Sequence, residues 1–250
     1  MNPTDFAIST FCCIDKPLDT ALATFAERVN RVEILSDGLH DLLIDSRPCN
    51  EYPLTYTVHA PAAEINIAAI NDRVRAASVD ALSDLMPVCA AIDAERIVVH
   101  PGFTSYPEVR NRSYSALLRS LDDLVNLQEE HGIPLCIENM GAWECCHFRT
   151  PAFLPELTGR GLGFALDVGH AHINHNLKAF LKAGKFCHIH LHDNCGECDD
   201  HLACGKRSVD FSAVIKRLGP DVTRVVETRE LAAADESLTY LRALSRDIIS

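Results

Sequence analysis

Eight short apolar runs punctuate the chain: Phe6–Cys12, Arg31–Leu35, Thr55–His59, Arg96–His100, Pro134–Glu138, Gly163–Asp167, Phe186–His190 and Arg224–Glu227. Their length and their Val and Ile content predict strands. Most of the intervals between them carry helical periodicity, for example Pro17–Asn30, Arg73–Ile92, Ser113–His131, Asp210–Leu218 and Leu231–Ile249. Within Ser113–His131, the residues Leu117, Leu118, Leu121, Leu124, Val125 and Leu127 recur at three- and four-residue steps, which gathers them on one helix face. Strand and helix in alternation predict parallel strands joined by crossover helices, hence an α/β protein. Eight such units in 250 residues fit one (β/α)8 barrel, the TIM-barrel architecture. An open doubly wound sheet would alternate in the same way, but it normally places a Gly-rich phosphate turn after its first strand. Here Cys12-Cys13-Ile14-Asp15-Lys16-Pro17 follows, with no glycine. No linker or shift in composition divides the sequence, so residues 1–250 are expected to form a single domain.

The polar positions at the strand ends change the picture from fold to chemistry. The third strand runs into Val58-His59-Ala60-Pro61, the fourth into Val99-His100-Pro101-Gly102, the fifth into Ile137-Glu138-Asn139. The sixth runs into Leu166-Asp167-Val168-Gly169-His170, the seventh reads His188-Ile189-His190-Leu191-His192, and the eighth ends Val226-Glu227-Thr228. Side chains alternate along a strand, so the apolar member of each pair faces the helices and the polar member the barrel axis. His59, His100, Glu138, Asp167, His190 and Glu227 then converge at the carboxyl end of the barrel, where barrel enzymes keep their chemistry. Carboxylates and imidazoles crowded around one axis call for a cation between them. His170, just past the sixth strand, is a further candidate ligand or substrate contact. Asp199-Asp200-His201 offers an Asp-x-His pair to another ion. His188 lies deeper and reads as a hydrogen-bonded core residue, and His172 and His175 read as loop residues. Trp143 either walls the pocket or packs. Mixed nitrogen and oxygen donors suit divalent zinc or manganese, one to three ions per chain.

Charge and cysteine content limit the partners. A formal net charge of −12 disfavours nucleic acid without excluding it, since bound metal ions can reverse the field locally. Eleven cysteines, most in strand-like runs, read as reduced thiols. Cys195, Cys198 and Cys204 form a C-x2-C-x5-C pattern that could hold zinc or an iron–sulfur cluster, although general cysteine richness accounts for it more simply. Met1-Asn2-Pro3-Thr4-Asp5 lacks the basic start and apolar core of a signal peptide, and no run approaches the length of a membrane helix. The expected setting is therefore the cytoplasm, with no membrane partner. A homo-oligomer is compatible with the sequence.

Taken together, the segments His59-Ala60-Pro61, Val99-His100-Pro101-Gly102, Ile137-Glu138-Asn139, Asp167-Val168-Gly169-His170 and His190-Leu191-His192-Asp193-Asn194 resemble the xylose isomerase-like barrel superfamily from Thr55 to Thr228. That group holds sugar isomerases and epimerases and also endonuclease IV, the abasic-site nuclease. Resemblance to the first branch implies one metal held by Glu138, Asp167, His190 and Glu227, with the two glutamates moving protons and His170 touching a substrate hydroxyl. Resemblance to endonuclease IV implies three zinc ions held by His59, His100, Glu138, Asp167, His170, His190, Asp199, His201 and Glu227, a set suited to phosphoester hydrolysis. The chain departs from that nuclease where an aromatic wedge is expected, since Ala62-Ala63-Glu64 stands there, and it offers few basic residues near the mouth. The expectation is a divalent-metal-dependent isomerase or epimerase, with catalytic Glu138, Glu227 and His170. Its substrate would be a small sugar or a sugar phosphate, whose phosphate the additional ions or histidines would bind. The alternative is an endonuclease IV-like phosphodiesterase.

Overall fold

A computed structural model describes residues 4–141 and 143–249. Eight parallel strands close into a barrel in chain order: β1 (Ala7–Ser9), β2 (Arg31–Leu35), β3 (Thr55–His59), β4 (Ile97–Val99), β5 (Leu135–Glu138), β6 (Gly163–Asp167), β7 (His188–Leu191) and β8 (Thr223–Val226), with β8 pairing back onto β1. The helices are α1 (Leu18–Ala26), α2 (Asp72–Ala91), α3 (Arg110–His131), α4 (Leu154–Thr158), α5 (Val168–Ile173), α6 (Leu177–Ala183), α7 (Phe211–Ile215) and α8 (Leu231–Ile249). No described helix is long and apolar enough to cross a membrane. Met1, Asn2 and Pro3, part of the N-terminal stretch read above, lie outside the described residues.

The alternation along the strands sets the layers. Ile34, Val58, Ile97, Val99, Ile137, Leu166, Ile189 and Val226 join the large apolar cluster between barrel and helices. Val98, Cys136 and Ala165 form a separate small cluster that plugs the axis. Two residues further on, the same faces of β5 and β6 carry Glu138 and Asp167, so the axis turns from apolar to ionisable within one pleat. The β6–β7 register, with Asp167 opposite His190, sets two of these residues at the same height.

Some boundaries differ from the periodicity. β1 ends at Ser9, because the Ser9 hydroxyl accepts the Phe11 N–H and turns Thr10–Cys13 into a 3-10 helix. Among the described residues the β2–β3 connection has 3-10 turns at Gly38–His40 and Arg47–Asn50 and no α-helix, so the strand–helix repeat is incomplete there. Asp210–Leu218 is helical only over Phe211–Ile215. α3 stops where predicted, at His131, because Gly132 takes the left-handed conformation (φ 71°) and its N–H bonds the Gln128 carbonyl.

Candidate metal centre

At the carboxyl end of the barrel the nine candidate ligands come together. Glu138, buried on β5, sits at the hub. Its Oε2 lies 3.1 Å from His59 Nε2 and 3.4 Å from His100 Nε2. Its Oε1 lies 3.6 Å from His190 Nδ1, which is also 3.8 Å from Asp167 Oδ2 and 3.7 Å from Glu227 Oε2. Asp199 Oδ2 is 3.3 Å from His170 Nε2 and 3.2 Å from His201 Nε2. Among the described residues five metal-competent groups result, each with donor atoms within 4.8 Å of one another: His59/His100/Glu138, Glu138/Asp167/His190, His170/His192/Asp199/His201, Asp167/His192/Glu227 and Glu33/His188/His190. A tetrahedral zinc shell with bonds of about 2.1 Å has donor–donor edges of roughly 3.4 Å, close to the separations found.

Local structure places each donor. Asp167 ends β6 and caps α5, accepting the His170 N–H on Oδ1 at 2.6 Å, so the cap brings His170 to the axis. A short antiparallel bridge between Asp193 and Leu202 folds the loop after β7 back over the barrel, which carries Asp199 and His201 into the cluster. Asp200 is not recruited; its carbonyl accepts Arg229 Nε instead.

Backbone carbonyls fix the ring orientation of three of the histidines. His59 Nδ1 donates to the Ala60 carbonyl at 2.7 Å, His170 Nδ1 to the Asn139 carbonyl at 2.9 Å, and His201 Nδ1 to the Glu227 carbonyl at 3.0 Å. A carbonyl only accepts, so the N–H must be on Nδ1, and Nε2 is left with the lone pair, facing Glu138 in His59 and Asp199 in His170 and His201; His170 Nδ1 also lies 3.2 Å from Glu138 Oε1. This is the outer shell that metal-binding histidines usually have. Two buried polar atoms aimed into the cluster, His190 Nδ1 and Asp199 Oδ1, have no hydrogen-bond partner. Orphans of this kind, beside buried carboxylates, fit a cation.

Electrostatics agree. Burial would push the carboxylates up, yet the surrounding rings hold Glu138 well below the usual range, and Asp167 and Asp199 are lowered for the same reason. Burial would likewise lower the imidazoles. Glu138 outweighs it and raises His59 to about 9, and Asp199 and Glu227 raise His201 to about 9. His170, beside Asp167 and Asp199, and His190, beside Glu227, Glu33 and Glu138, are held well above their ordinary value. Without a cation, protons on the rings balance the anions; divalent ions can replace those protons.

A cavity of about 250 Å³ opens over the cluster, lined by His59, His100, Glu138, His170, Asp199, His201 and Glu227. Phe11, Leu35, Ala62 and Trp143 form apolar walls, and Arg229 is the one Lys or Arg among the lining residues. Trp143 is half exposed, with its ring 5.9 Å from that of His170. Larger clefts of about 470 and 460 Å³ lie elsewhere, one lined by Pro17, Arg47 and Glu51 and the other by His172, His175 and Lys178, and neither contains a metal-competent group.

Two residues belong here that the sequence reading gave no role. His192 shares the β7 face, and its Nε2 is 3.1 Å from both Asp167 oxygens and 3.9 Å from Asp199 Oδ1. Glu33, fully buried on β2, reaches His190 from beneath. The alternation that selects Glu138 also selects Glu33, flanked by Val32 and Ile34, but Glu33 does not end its strand. The C-x2-C-x5-C pattern does not gather: Cys195 and Cys198 are exposed, Cys204 is buried, and no cysteine joins a metal-competent group among the described residues.

Residues 46–244 match the protein family described as "Xylose isomerase-like TIM barrel". Uncharacterized protein MJ1614 of Methanocaldococcus jannaschii is 38% identical over 84% of this chain and 85% of its own. The probable endonuclease 4 of Mycobacterium leprae is 29% identical over 74% of this chain and 77% of its own. Among solved structures, a D-tagatose 3-epimerase-like protein superposes with a TM-score of 0.89 at 26% identity, covering 98% of both chains.

Proposed function

The chain belongs to the xylose isomerase-like TIM barrel family, and from that premise we propose that it is a single-domain, divalent-metal-dependent isomerase or epimerase of a small sugar or sugar phosphate. The observation that carries this reading is the convergence of Glu138 and Glu227 on His190 Nδ1, at 3.6 and 3.7 Å, where both line one small cavity. Similarity to the D-tagatose 3-epimerase-like protein along almost the whole of both chains supports it.

Glu138, Asp167, His190 and Glu227 would hold the central ion, zinc or manganese. Such an ion supplies Lewis-acid polarisation of a carbonyl and its neighbouring hydroxyl. Glu138 and Glu227 are placed to exchange protons with the substrate, one removing a proton beside the carbonyl and the other returning one. His170, through its cavity-facing ring, would bond a hydroxyl, and Trp143 would cover the sugar's apolar face. His59, His100, Asp199 and His201 would hold further ions or a phosphate group. Eleven free thiols support a reducing cytoplasm as the setting.

A phosphodiesterase reading has its own observation, the adjoining donor groups at one end of the barrel, two of which share Glu138. Against it stand Ala62 and Ala63 where a wedge would be needed, a single cavity arginine, and a net charge of −12.

The test is metal analysis of protein purified without added metal, followed by turnover of aldoses, ketoses and their phosphates. Sugar turnover that falls roughly 10²–10⁴-fold in Glu138→Gln and Glu227→Gln is expected. His201→Ala should keep most of the sugar activity but abolish a trinuclear hydrolase. Cleavage of an abasic-site duplex, with no sugar turned over, would overturn the reading.

A further inference from the structure

Glu33 is a carboxylate with no access to solvent or to the cavity, placed mid-strand on β2 with its side chain across the barrel axis. Its Oε1 lies 2.7 Å from His190 Nε2. Its Oε2 accepts the Thr57 hydroxyl at 3.1 Å and is 2.9 Å from His188 Nε2. The carboxylate is therefore held at both oxygens and cannot swing away from His190. Burying an ionised carboxylate is costly, and an apolar residue would fill the same space, so its presence asks for a reason.

We propose that Glu33 is a positioning residue for the metal centre: it fixes His190 as the Nε2–H tautomer and so presents the Nδ1 lone pair to Glu138, Asp167 and Glu227. An ionised carboxylate only accepts, so the hydrogen of neutral His190 must be on Nε2. That leaves Nδ1 as the ligand atom, and Nδ1 is the buried atom without a hydrogen-bond partner that stands 3.6–3.8 Å from all three carboxylates. His59, His170 and His201, which carry their hydrogen on Nδ1 instead, donate it to backbone carbonyls, with Glu138 Oε1 a further neighbour of His170 Nδ1 at 3.2 Å. Glu33 sets a full negative charge behind the His190 ring, which makes Nδ1 a better donor than a neutral acceptor in that place would. The inference rests on the metal-binding part of the function proposed above and not on sugar chemistry.

Two readouts test it, and both use zinc alone. The first is zinc affinity, from competition with a chromogenic chelator. Glu33→Leu should bind zinc about 100-fold more weakly, and Glu33→Gln, which keeps an acceptor but not the charge, about 10-fold more weakly. The second is the ¹⁵N NMR spectrum of histidine-labelled wild-type protein loaded with zinc, in which His190 should show a protonated Nε2 and a zinc-bound Nδ1. Wild-type affinity in a folded Glu33→Leu protein would overturn the proposal. So would zinc on His190 Nε2 in the wild type, a result that does not depend on any variant folding. Neither readout needs a substrate, so failure here leaves the isomerase reading untouched, and failure to find a sugar leaves this one standing.

Discussion

A methyl group on Gly169 would stand 2.0 Å from Cε1 and 2.5 Å from Nε2 of His192. The His192 ring lies directly on this glycine's backbone, and there it meets both Asp167 oxygens at 3.1 Å. Gly169 is thus fixed by close approach, not by its backbone angles. Gly169→Ala must move the ring or α5, at about 1–3 kcal/mol of overpacking. Asp167 would lose one of the groups that aim it. Denaturant unfolding should show that loss, and zinc titration of the same variant should show weakened binding; unchanged values in both would mean that the ring relocates freely. The Asp167-Val168-Gly169-His170 stretch was readable as a candidate ligand followed by a second ligand or a substrate contact. Gly169 was not, because its partner is 23 residues further along the chain, on β7. His192 was visible on the right face but had no stated task, since only the cap geometry of Asp167 reveals what the ring does. The Glu33 contact joins residues 157 positions apart across the barrel, a distance at which alternation predicts a face but no partner.

At the level of elements, the short apolar runs were distinct enough to place β2, β3 and β6 to the residue. The short helices α4, α5 and α6 escaped because five to seven residues give too few turns to display a period. The loop after β7 was legible only as a pair of ligands. Its architecture depends on Asp193, a buried carboxylate that accepts the N–H groups of Asn194 at 2.9 Å, Val209 at 3.0 Å and Arg207 at 2.7 Å. These bonds, with the Asp193–Leu202 bridge, suspend Asp199 and His201 over the barrel, while Glu138, Asp167 and His190 are held by the strands themselves. Asp193→Ala should therefore separate the two halves of the centre. Loss of the three charge-assisted bonds is expected to cost about 1.5–3 kcal/mol for each. Elemental analysis should show any ion held by Asp199 and His201 lost and the proposed central ion at Glu138/Asp167/His190/Glu227 retained. Loss of all metal in a protein that is still folded would show that the two halves are one cooperative unit.

Over the whole molecule, the barrel collects Glu33, Glu138, Asp167, Asp199 and Glu227 around one axis in a chain that already carries a net charge of −12. The stripped protein can tolerate this only by keeping protons on its rings. His59 and His201 are raised to about 9, against about 6.5 in an unfolded chain. A raised folded value favours the native state fully below pH 6.5, and that contribution is lost as pH climbs through 9. At full expression each ring is worth roughly 3 kcal/mol. Metal reverses the dependence, because ligated rings are neutral and protons compete with the ion, so binding strengthens over the same interval. Thermal unfolding of loaded and chelator-stripped protein should therefore give Tm values that diverge steadily from pH 6.5 to 9. Cys187, whose thiol is drawn down to about 6 by Cys136 and then Arg96, titrates in both forms and cancels in the difference. A gap that stays constant or narrows would mean that ring protons do not balance the buried carboxylates, and would remove the electrostatic reason for placing cations at this end of the barrel.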